Sequence, residues 1–237
     1  MLGLPDHVTA CLFDLDGVLT DTARVHQAAW ADTFNAFLPA GAPRFSQADY
    51  NATVDGRPRL DGVRTFLTSR GIDLPEGTVD DPPGAPTIHG LAARKNDMVL
   101  ARIRTDGVVV YPGSVDYVTA ARDAGLRRVV VSASANCHDV LVAAGLDGFI
   151  EDRVDGVVAA REGLRGKPFP DTFLAAADRI GLAPGQCAVF EDAVAGVEAG
   201  KAGGFGYVVG VDRVDHAADL LRAGASRVVT DLVELLS

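Results

Sequence analysis

The sequence FDLDGVLT at residues 13–20 follows directly on a short apolar run, TACLF at 9–13. A run of this kind, partly β-branched, is typical of a buried strand. The glycine in FDLDGVLT then offers a turn. Asp14 and Asp16 therefore stand where a strand ends, which is where ligands bind in open parallel sheets.

The two aspartates lie two positions apart. Side chains alternate along a strand, so both carboxylates point to the same side unless the backbone has already begun to turn. Converging carboxylates repel each other and need a cation or a shared proton to persist. Aspartates at a strand-to-loop junction can also be ordinary surface residues. Other features of the sequence are therefore needed to distinguish an acidic ligand site from an ordinary surface loop.

The composition is that of an ordinary globular protein. The 237 residues are 48% hydrophobic and 23% charged, enough for one large domain or for a core with an insertion. A net charge of −10 argues against a general nucleic-acid binder, which needs a basic surface. The N-terminus has no signal pattern, and no apolar run approaches a membrane span. We therefore expect a cytoplasmic protein that binds neither nucleic acid nor membranes. We also expect a monomer, although the sequence does not reveal the oligomeric state.

The three cysteines agree with the expected cytoplasmic location. Cys11, Cys137 and Cys187 are odd in number, widely spaced and surrounded by apolar residues. This pattern indicates reduced thiols in the core rather than a disulfide or a metal site.

The chain changes character along its length. Helical patterns at 23–38, 61–70 and 91–104 follow one another without strand-like runs, with a proline-rich loop at 74–90. Beyond them, short apolar runs alternate with helical stretches, which is typical of a doubly wound parallel sheet. We predict an α/β fold, with a Rossmann-like core domain formed by residues 1–22 and 107–237 and a helical cap domain inserted at 23–106. The later predicted strands are 128–132, 148–150, 188–190, 207–209 and 227–230.

Ser132 ends one of these strands and is followed by Ala133, Ser134 and Asn136, which lead into a helix. A hydroxyl and the N–H groups at a helix start can bind a phosphate. Ser134 or Asn136 can equally be an ordinary helix cap.

Lys167, Glu191 and Asp192 are further polar residues near predicted element ends. Lys167 stands in a proline-rich loop before a helix, where a lysine is more often a solvated charge. Glu191 and Asp192 follow the strand at 188–190 and can simply complement the dipole of the next helix. Each residue on its own is ambiguous.

Together with the two aspartates, these residues fit one reaction. Asp14 would attack a phosphorus atom and form an aspartyl-phosphate. A carboxylate and a phosphate repel each other, so Mg²⁺ would bridge them, with Asp14 and Asp192 as hard oxygen ligands. Asp16 would act as general acid and base towards the leaving or incoming hydroxyl.

The other residues would stabilise charge. Lys167 and Ser132, with the N–H of Ala133, would neutralise the negative charge that spreads over the transferring oxygens. The joint presence of these groups in a single α/β pattern favours phosphoryl transfer over independent structural roles.

These positions resemble the four motifs of the haloacid dehalogenase-like phosphatase superfamily, over nearly the whole chain. The matching residues are Asp14-x-Asp16-Gly17-Val18-x-Thr20-Asp21, Ser132, Lys167-Pro168 and Glu191-Asp192. The resemblance implies a cap inserted after the first motif and a metal site formed by Asp14, Asp16, Glu191 and Asp192, with Asp16 contributing its backbone carbonyl. Dehalogenases lack a carboxylate at the position of Asp16, so dehalogenation is disfavoured.

A closer resemblance is to the β-phosphoglucomutase family. It implies interconversion of β-D-glucose 1-phosphate and glucose 6-phosphate through a bound glucose 1,6-bisphosphate, so the expected partner is a small phosphorylated sugar. The residues that it assigns to substrate are Thr22, His26, Trp30, Gly56, Arg59, Lys95, Asn96, Ala133, Ser134 and Asn136. Arg59 would hold the phosphate that is not being transferred, whereas core packing is an alternative role for His26 and Trp30.

Two alternatives to a mutase stay open. Asp55 stands where the family tends to carry a lysine, and the loop at 74–90 is longer than in those enzymes. Either difference could favour a phosphatase that hydrolyses a small phosphorylated metabolite at the same site. A non-catalytic protein with the same fold is disfavoured, because Asp14, Asp16, Lys167 and Asp192 are all present.

Overall fold

The computed structural model describes residues 2–236 and divides the chain into two compact units. One unit consists of Met1–Asp21 and Val108–Ser237 and contains a sheet; the other, Thr22–Gly107, is helical. The strands are β1 (Ala10–Phe13), β2 (Arg127–Val131), β3 (Asp152–Val154), β4 (Cys187–Glu191), β5 (Tyr207–Val211) and β6 (Arg227–Val229). The helices of the helical unit are α1 (Thr22–Phe37), α2 (Gln47–Thr53), α3 (Arg59–Ser69) and α4 (Ile88–Asp106). Those of the sheet unit are α5 (Pro112–Asp123), α6 (Cys137–Ala143), α7 (Gly156–Glu162), α8 (Asp171–Arg179), α9 (Val194–Ala202) and α10 (Ala217–Ala223).

The sheet is parallel, in the order β3-β2-β1-β4-β5-β6 across the described residues. Strand β1 is therefore central, and its four residues are all buried because neighbouring strands and flanking helices cover it. The strand order reverses between β1 and β4, and the carboxyl ends of strands at such a point are where ligands bind in open parallel sheets. The predicted α/β fold with a doubly wound parallel sheet is confirmed.

The register of the central strands determines where the acidic residues lie. Phe13 on β1 pairs with Val130 on β2 and with Phe190 on β4. The rings of Phe13 and Phe190 stack with their centroids 4.6 Å apart, which locks that pairing by packing. The next residues along β1 and β4, Asp14 and Glu191, consequently emerge side by side.

The helical unit has an aromatic core of its own. The Phe34 ring stacks on Phe66, with centroids 4.0 Å apart, and on Trp30 at 5.0 Å. Phe45 packs edge-on against Phe66 at 5.2 Å. These side chains are almost fully buried, because the apolar stripe of α1 faces α3 and the segment before α2.

The predicted strand at 148–150 is wrong. Asp147–Phe149 forms a single turn of 3₁₀ helix, and the edge strand is β3, a few residues later. Only Val154 of β3 is fully buried, so the sequence of this edge strand lacks the apolar run that marks the central ones. Three short helices, α2, α7 and α10, were also not predicted, since each is only seven residues long.

The three cysteines are free and buried, as the sequence predicts. Within residues 2–236, no helix is both long and apolar enough to cross a bilayer.

Candidate active site

Three carboxylates gather at the carboxyl ends of β1 and β4. Asp14, Glu191 and Asp192 each offer an oxygen, and these three atoms lie within 4.8 Å of one another. Their exposures are 6%, 0% and 7%, so water hardly reaches them. The Asp14 N–H donates to the Phe190 carbonyl at 2.9 Å, which continues the β1–β4 pairing to the site itself.

Lys167 reaches this cluster from the loop before α8. Its ammonium nitrogen lies 2.5 Å from Oδ1 of Asp14, donates to the Val131 carbonyl at 3.1 Å and forms an ion pair with Glu191. The side chain is buried, and the Lys167–Pro168 peptide bond that follows is cis. The lysine is thus part of the site and not a solvated surface charge.

Burial and charge oppose each other in this group. Burial raises the pKa of Asp14 well above its ordinary value; Lys167 opposes that rise, while Glu191 and Asp16 add to it. Burial alone would lower the pKa of Lys167, but the carboxylates of Asp14 and Glu191 raise it above its ordinary value. Burial thus disfavours the charged form of Asp14, and the two neighbouring carboxylates favour the ammonium form of Lys167.

The donor set fits a divalent cation. Asp14, Glu191 and Asp192 provide hard carboxylate oxygens close together and away from water. Like charges in such a place repel strongly, and Mg²⁺ prefers oxygen ligands of this kind. The sequence prediction of magnesium ligands at these three positions is chemically compatible with the structure.

Two glycines allow the acidic loops to approach closely. A Cβ atom at Gly17 would lie 1.8 Å from Oδ2 of Asp192, and the φ of Gly17 is +96°. A Cβ atom at Gly196, in the first turn of α9, would lie 1.9 Å from the carboxyl carbon of Glu191. Any other residue at either position would push a carboxylate out of place.

The Asp16 carboxylate is separate from the acidic cluster of the described residues. The backbone turns after Leu15: the Gly17 N–H donates to the Thr20 carbonyl at 2.7 Å, and the Thr20 hydroxyl donates to the Leu15 carbonyl at 3.1 Å. Asp16 Oδ2 instead lies 3.5 Å from the Ser132 hydroxyl. Asp14 and Asp16 thus have different surroundings, and their different roles stay predictions.

The segment after β2 forms a compact turn. The Ser134 N–H donates to the Ser132 hydroxyl at 3.1 Å, and the Asn136 N–H donates to the Ser134 hydroxyl at 3.1 Å. The Asn136 side chain makes no capping hydrogen bond to α6. Ser132 is buried beside the Asp16 carboxylate, so its hydroxyl belongs to the site, and the phosphate contacts of Ala133, Ser134 and Asn136 stay predictions.

A second polar group lies within the helical unit. Lys95 Nζ is 2.9 Å from Nδ1 of His26 and 4.8 Å from the centre of the Trp30 ring. Lys95 is 5% exposed, which is unusual for a lysine. The structure brings these three predicted substrate residues together, although Trp30 also packs on Phe34 in the aromatic core.

The remaining predicted substrate residues of the helical unit occupy element ends and one helix. Thr22 and Arg59 begin α1 and α3, Gly56 stands in the turn before α3 with a φ of +67°, and Asn96 lies within α4. Partial burial lowers the pKa of Arg59, which the charge of Asp97 opposes. Their contacts with a sugar phosphate stay predictions.

Arg213 and His216 were not found from the sequence. Both follow β5, and both reach backbone atoms of the acid-bearing loops: Arg213 Nε donates to the Gly17 carbonyl, and His216 Nε2 contacts the Asp192 carbonyl, each at 2.9 Å. Their place after a strand was a signal, because ligand sites in parallel sheets form at strand ends. The apolar pattern weakens beyond residue 209, so the strand was predicted to end early and the two residues that follow β5 were missed.

Comparison with known proteins agrees with this geometry. The haloacid dehalogenase-like hydrolase family matches residues 8–204. The chain is 52% identical to a β-phosphoglucomutase of Mycobacterium tuberculosis, over 100% of this chain and 94% of that protein. It is 33% identical to a fructose-1-phosphate phosphatase of Escherichia coli, over 83% of this chain and 93% of that one.

A solved structure shows the same fold. A hydrolase from Pseudomonas syringae superimposes with a TM-score of 0.79, covering 96% of each chain at 24% sequence identity. At that identity the likeness concerns the fold alone.

Proposed function

We propose a sugar-phosphate mutase function for this chain, which belongs to the haloacid dehalogenase-like hydrolases and, within them, to the β-phosphoglucomutase family. The reaction is the interconversion of β-D-glucose 1-phosphate and glucose 6-phosphate. The 52% identity to a β-phosphoglucomutase over the full chain supports this proposal. The observation that carries the chemistry is the burial of Asp14 against Lys167 beside two further carboxylates.

Asp14 is the nucleophile. Its carboxylate attacks the phosphorus atom of the sugar phosphate, the bond from phosphorus to the sugar oxygen breaks, and an aspartyl-phosphate results. The contact with Lys167 supports this assignment, since the ammonium group neutralises negative charge that spreads over the transferring oxygens. The Ser132 hydroxyl binds the same phosphoryl group.

The metal is Mg²⁺, which Asp14, Asp192 and the Asp16 carbonyl would hold, with Glu191 beside them. When bound, it supplies the positive charge that lets a carboxylate approach a phosphate dianion. Glu191 also orients Lys167 through their ion pair. Burial excludes water from these residues, which strengthens each of these interactions.

Asp16 is the general acid and base. It gives its proton to the sugar oxygen as that oxygen leaves phosphorus, and takes one back from the hydroxyl that attacks the aspartyl-phosphate. Its separation from the acidic cluster supports this role, because a carboxylate committed to a cation could not exchange protons readily.

A mutase has to bind a bisphosphate in either of two orientations. Glucose 1,6-bisphosphate serves as the activator, because it returns a phosphoryl group to Asp14 after the intermediate has escaped. Arg59 holds the phosphate that is not transferred, and the guanidinium allows bidentate binding. Lys95, His26 and Asn96 contact the sugar, and the close Lys95–His26 pair supports a shared role.

Hydrolysis of a small sugar phosphate is the second candidate. It is favoured by Asp55 in the turn before α3, which carries a negative charge where the mutase family tends to carry a positive one. The 33% identity to a fructose-1-phosphate phosphatase also agrees with it. Both candidates use Asp14, Asp16 and Lys167 in the same roles.

One experiment separates the two candidates. The purified chain with Mg²⁺ is incubated with β-D-glucose 1-phosphate, with and without glucose 1,6-bisphosphate, and glucose 6-phosphate and inorganic phosphate are both quantified. Formation of glucose 6-phosphate that depends on the bisphosphate supports the mutase. Release of phosphate without isomer formation would establish the phosphatase, and a panel of other sugar phosphates would then identify its substrate.

We also propose that the chain is a monomer in the cytoplasm. The three free, buried thiols support a reducing compartment, where cysteines stay unpaired. Size-exclusion chromatography with light scattering tests the oligomeric state.

A further inference from the structure

The loop after β5, residues 212–216, contacts the backbone of both acid-bearing loops. One of its side chains binds the turn that follows Asp14 and Asp16, and another binds the peptide carbonyl of Asp192. Neither contact involves a side chain that we assign to phosphoryl transfer. The loop therefore acts on the position of the acidic residues and not on the reacting atoms.

His216 holds the Asp192 side of this arrangement. Its Nε2 atom is 2.9 Å from the Asp192 carbonyl oxygen, and because a carbonyl only accepts, Nε2 carries a hydrogen and donates it. The Nδ1 atom on the other side of the ring lies 3.1 Å from Oδ1 of Asp212. Nδ1 makes no hydrogen bond among the described residues, and its contact with Asp212 is an ion pair only when the ring is protonated, so the hydrogen bond from Nε2 to the Asp192 carbonyl is what orients the ring.

Asp212 in turn organises the loop. Its carboxylate accepts hydrogen bonds from the backbone N–H groups of Val214, His216 and Ala217, at 3.2, 2.9 and 3.1 Å. Asp215 has a φ of +58° and is the non-glycine residue with a left-handed backbone within residues 2–236. Aspartate tolerates this conformation better than most residues, and here it lets the chain turn within the loop.

Arg213 holds the other side. Its Nε donates to the Gly17 carbonyl at 2.9 Å, and its terminal nitrogens reach the carbonyls of Thr230 at 2.7 Å and Val18 at 3.5 Å. The guanidinium lies 3.6 Å from the centre of the Tyr111 ring. Planar stacking and several donors together give this side chain one orientation, which a lysine could not reproduce.

The two residues whose carbonyls are held in this way, Gly17 and Asp192, lie next to each other in space. Gly17 is so close to Asp192 that a Cβ atom there would lie 1.8 Å from Oδ2. Arg213 donates a hydrogen bond to the carbonyl of Gly17, and His216 donates one to the carbonyl of Asp192. A small shift of either loop changes the distance between the Asp16 carbonyl and the Asp192 carboxylate.

We propose that Arg213 and His216 are positioning residues that hold the Asp16-Gly17 turn and Asp192 at the separation which the Mg²⁺ site requires. This inference rests on the proposed function for the existence of that site, but it concerns residues that touch neither metal nor substrate. Groups that orient metal ligands in this way typically contribute 10- to 100-fold to metal affinity.

The test is Mg²⁺ binding to the full chain, measured by isothermal titration calorimetry with no sugar phosphate present. We expect Arg213→Met and His216→Phe each to raise the Kd for Mg²⁺ by about 10- to 100-fold. His216→Gln keeps an N–H donor and should restore part of the affinity. Arg222→Met is the matched control, because Arg222 is exposed, forms its ion pair with Asp219 on α10 and should leave the Kd unchanged.

Thermal unfolding in EDTA and in Mg²⁺ gives a second measurement. A positioning role predicts that the rise in Tm caused by Mg²⁺ shrinks in both variants. A Tm that falls by the same amount in EDTA and in Mg²⁺, with an unchanged Kd, would show a merely structural role and overturn the proposal. If Arg213→Met does not fold, His216→Phe and His216→Gln decide the matter alone.

Failure of this inference is separable from failure of the proposed function. A wild-type chain that binds Mg²⁺ but does not convert β-D-glucose 1-phosphate would overturn the mutase and leave the positioning role to be judged from the variants. A wild-type chain that binds no Mg²⁺ would overturn the positioning role directly.

Discussion

The ammonium nitrogen of Lys167 lies 2.5 Å from Oδ1 of Asp14, although the two residues are 153 positions apart in the chain. The same ammonium group pairs with Glu191 from another strand and donates to the Val131 carbonyl of a third. One buried cation thereby joins the ends of β1, β2 and β4. Its removal should affect stability and chemistry together.

Lys167→Met should lower the free energy of unfolding in EDTA by about 3–5 kcal/mol, because it leaves buried carboxylates without their cation. The rate of phosphoryl transfer should fall by about 10²- to 10³-fold, as when one donor to a developing charge is removed. Urea unfolding and the coupled mutase assay measure the two effects. The control is Arg165→Met in the same loop, whose exposed ion pair with Asp171 contributes little; similar losses in the two variants would contradict the role of Lys167.

Asp14→Ala should abolish the phosphoenzyme, since no other group is expected to accept the phosphoryl group. Intact-mass spectrometry after incubation with glucose 1,6-bisphosphate would show the added phosphoryl group on the wild-type chain and not on the variant. Asp178→Ala removes an exposed aspartate of α8 and should behave as wild type. A variant without Asp14 that still becomes phosphorylated would remove the nucleophile assignment.

Gly17→Ala should displace the Asp192 carboxylate, because the new Cβ atom would lie 1.8 Å from its Oδ2. We expect weaker Mg²⁺ binding as well as lower stability. Gly145→Ala is the control: its φ is +67°, but nothing lies within 4 Å of the new Cβ atom. It should cost about 1–2 kcal/mol of backbone strain and leave Mg²⁺ affinity unchanged. Equal Mg²⁺ affinity in both variants would show that the close approach at Gly17 does not matter.

Arg59→Lys should impair the mutase reaction more than hydrolysis of a monophosphate. The lysine keeps the charge but loses bidentate binding of the second phosphate, which only a bisphosphate carries. The ratio of kcat/KM for the two reactions is the measurement. Arg64→Lys serves as control, because Arg64 lies on the same helix in an exposed ion pair with Asp61 and Glu76. If both reactions slow by the same factor, Arg59 does not distinguish the second phosphate.

Low pH should destabilise the N-terminus of α2, because protonation of Asp49 removes the negative charge there. Desolvation raises the pKa of Asp49, but hydrogen bonds from Ser46 and the charge of Arg70 outweigh it and lower that pKa below its ordinary value of 3.8. A carboxyl group whose pKa is lower in the folded state stabilises the fold above the unfolded pKa and loses that contribution as the pH falls through the folded pKa.

Asp49→Asn keeps an oxygen that can accept from the Ser46 N–H but removes the charge that pairs with Arg70, so it should lower the free energy of unfolding at neutral pH by about 0.2–1 kcal/mol. The difference from wild type should begin to shrink as the pH falls below the ordinary pKa of 3.8, and it should vanish once the pH is below the lowered pKa of the native carboxyl group. Urea unfolding of both proteins across this pH range measures the difference. Asp80→Asn changes an exposed residue of the loop before α4 and should show no such trend; a difference for Asp49→Asn that does not depend on pH would exclude the charge as its cause.

Much of the fold could be predicted because its signals are local. The alternation of apolar runs and helical periods indicated the parallel sheet, and polar residues directly after strands indicated Asp14, Ser132, Glu191 and Asp192. The edge strand β3 and the helices α7 and α10 carry weak local patterns, since they are short and only partly buried. Their formation depends on neighbours that are distant in sequence.

The sequence by itself determined the class of fold, the types of chemical group and their places at strand ends, because these depend on side-chain periodicity and on turn residues next to one another. Only the tertiary structure decided that Asp16 stands apart from the acidic cluster and that Trp30 belongs to an aromatic core. It alone brought Arg213 and His216 to the backbone of the acidic loops. The physical reason is that strand register and loop packing join residues far apart in the chain, and no local pattern specifies which of them meet.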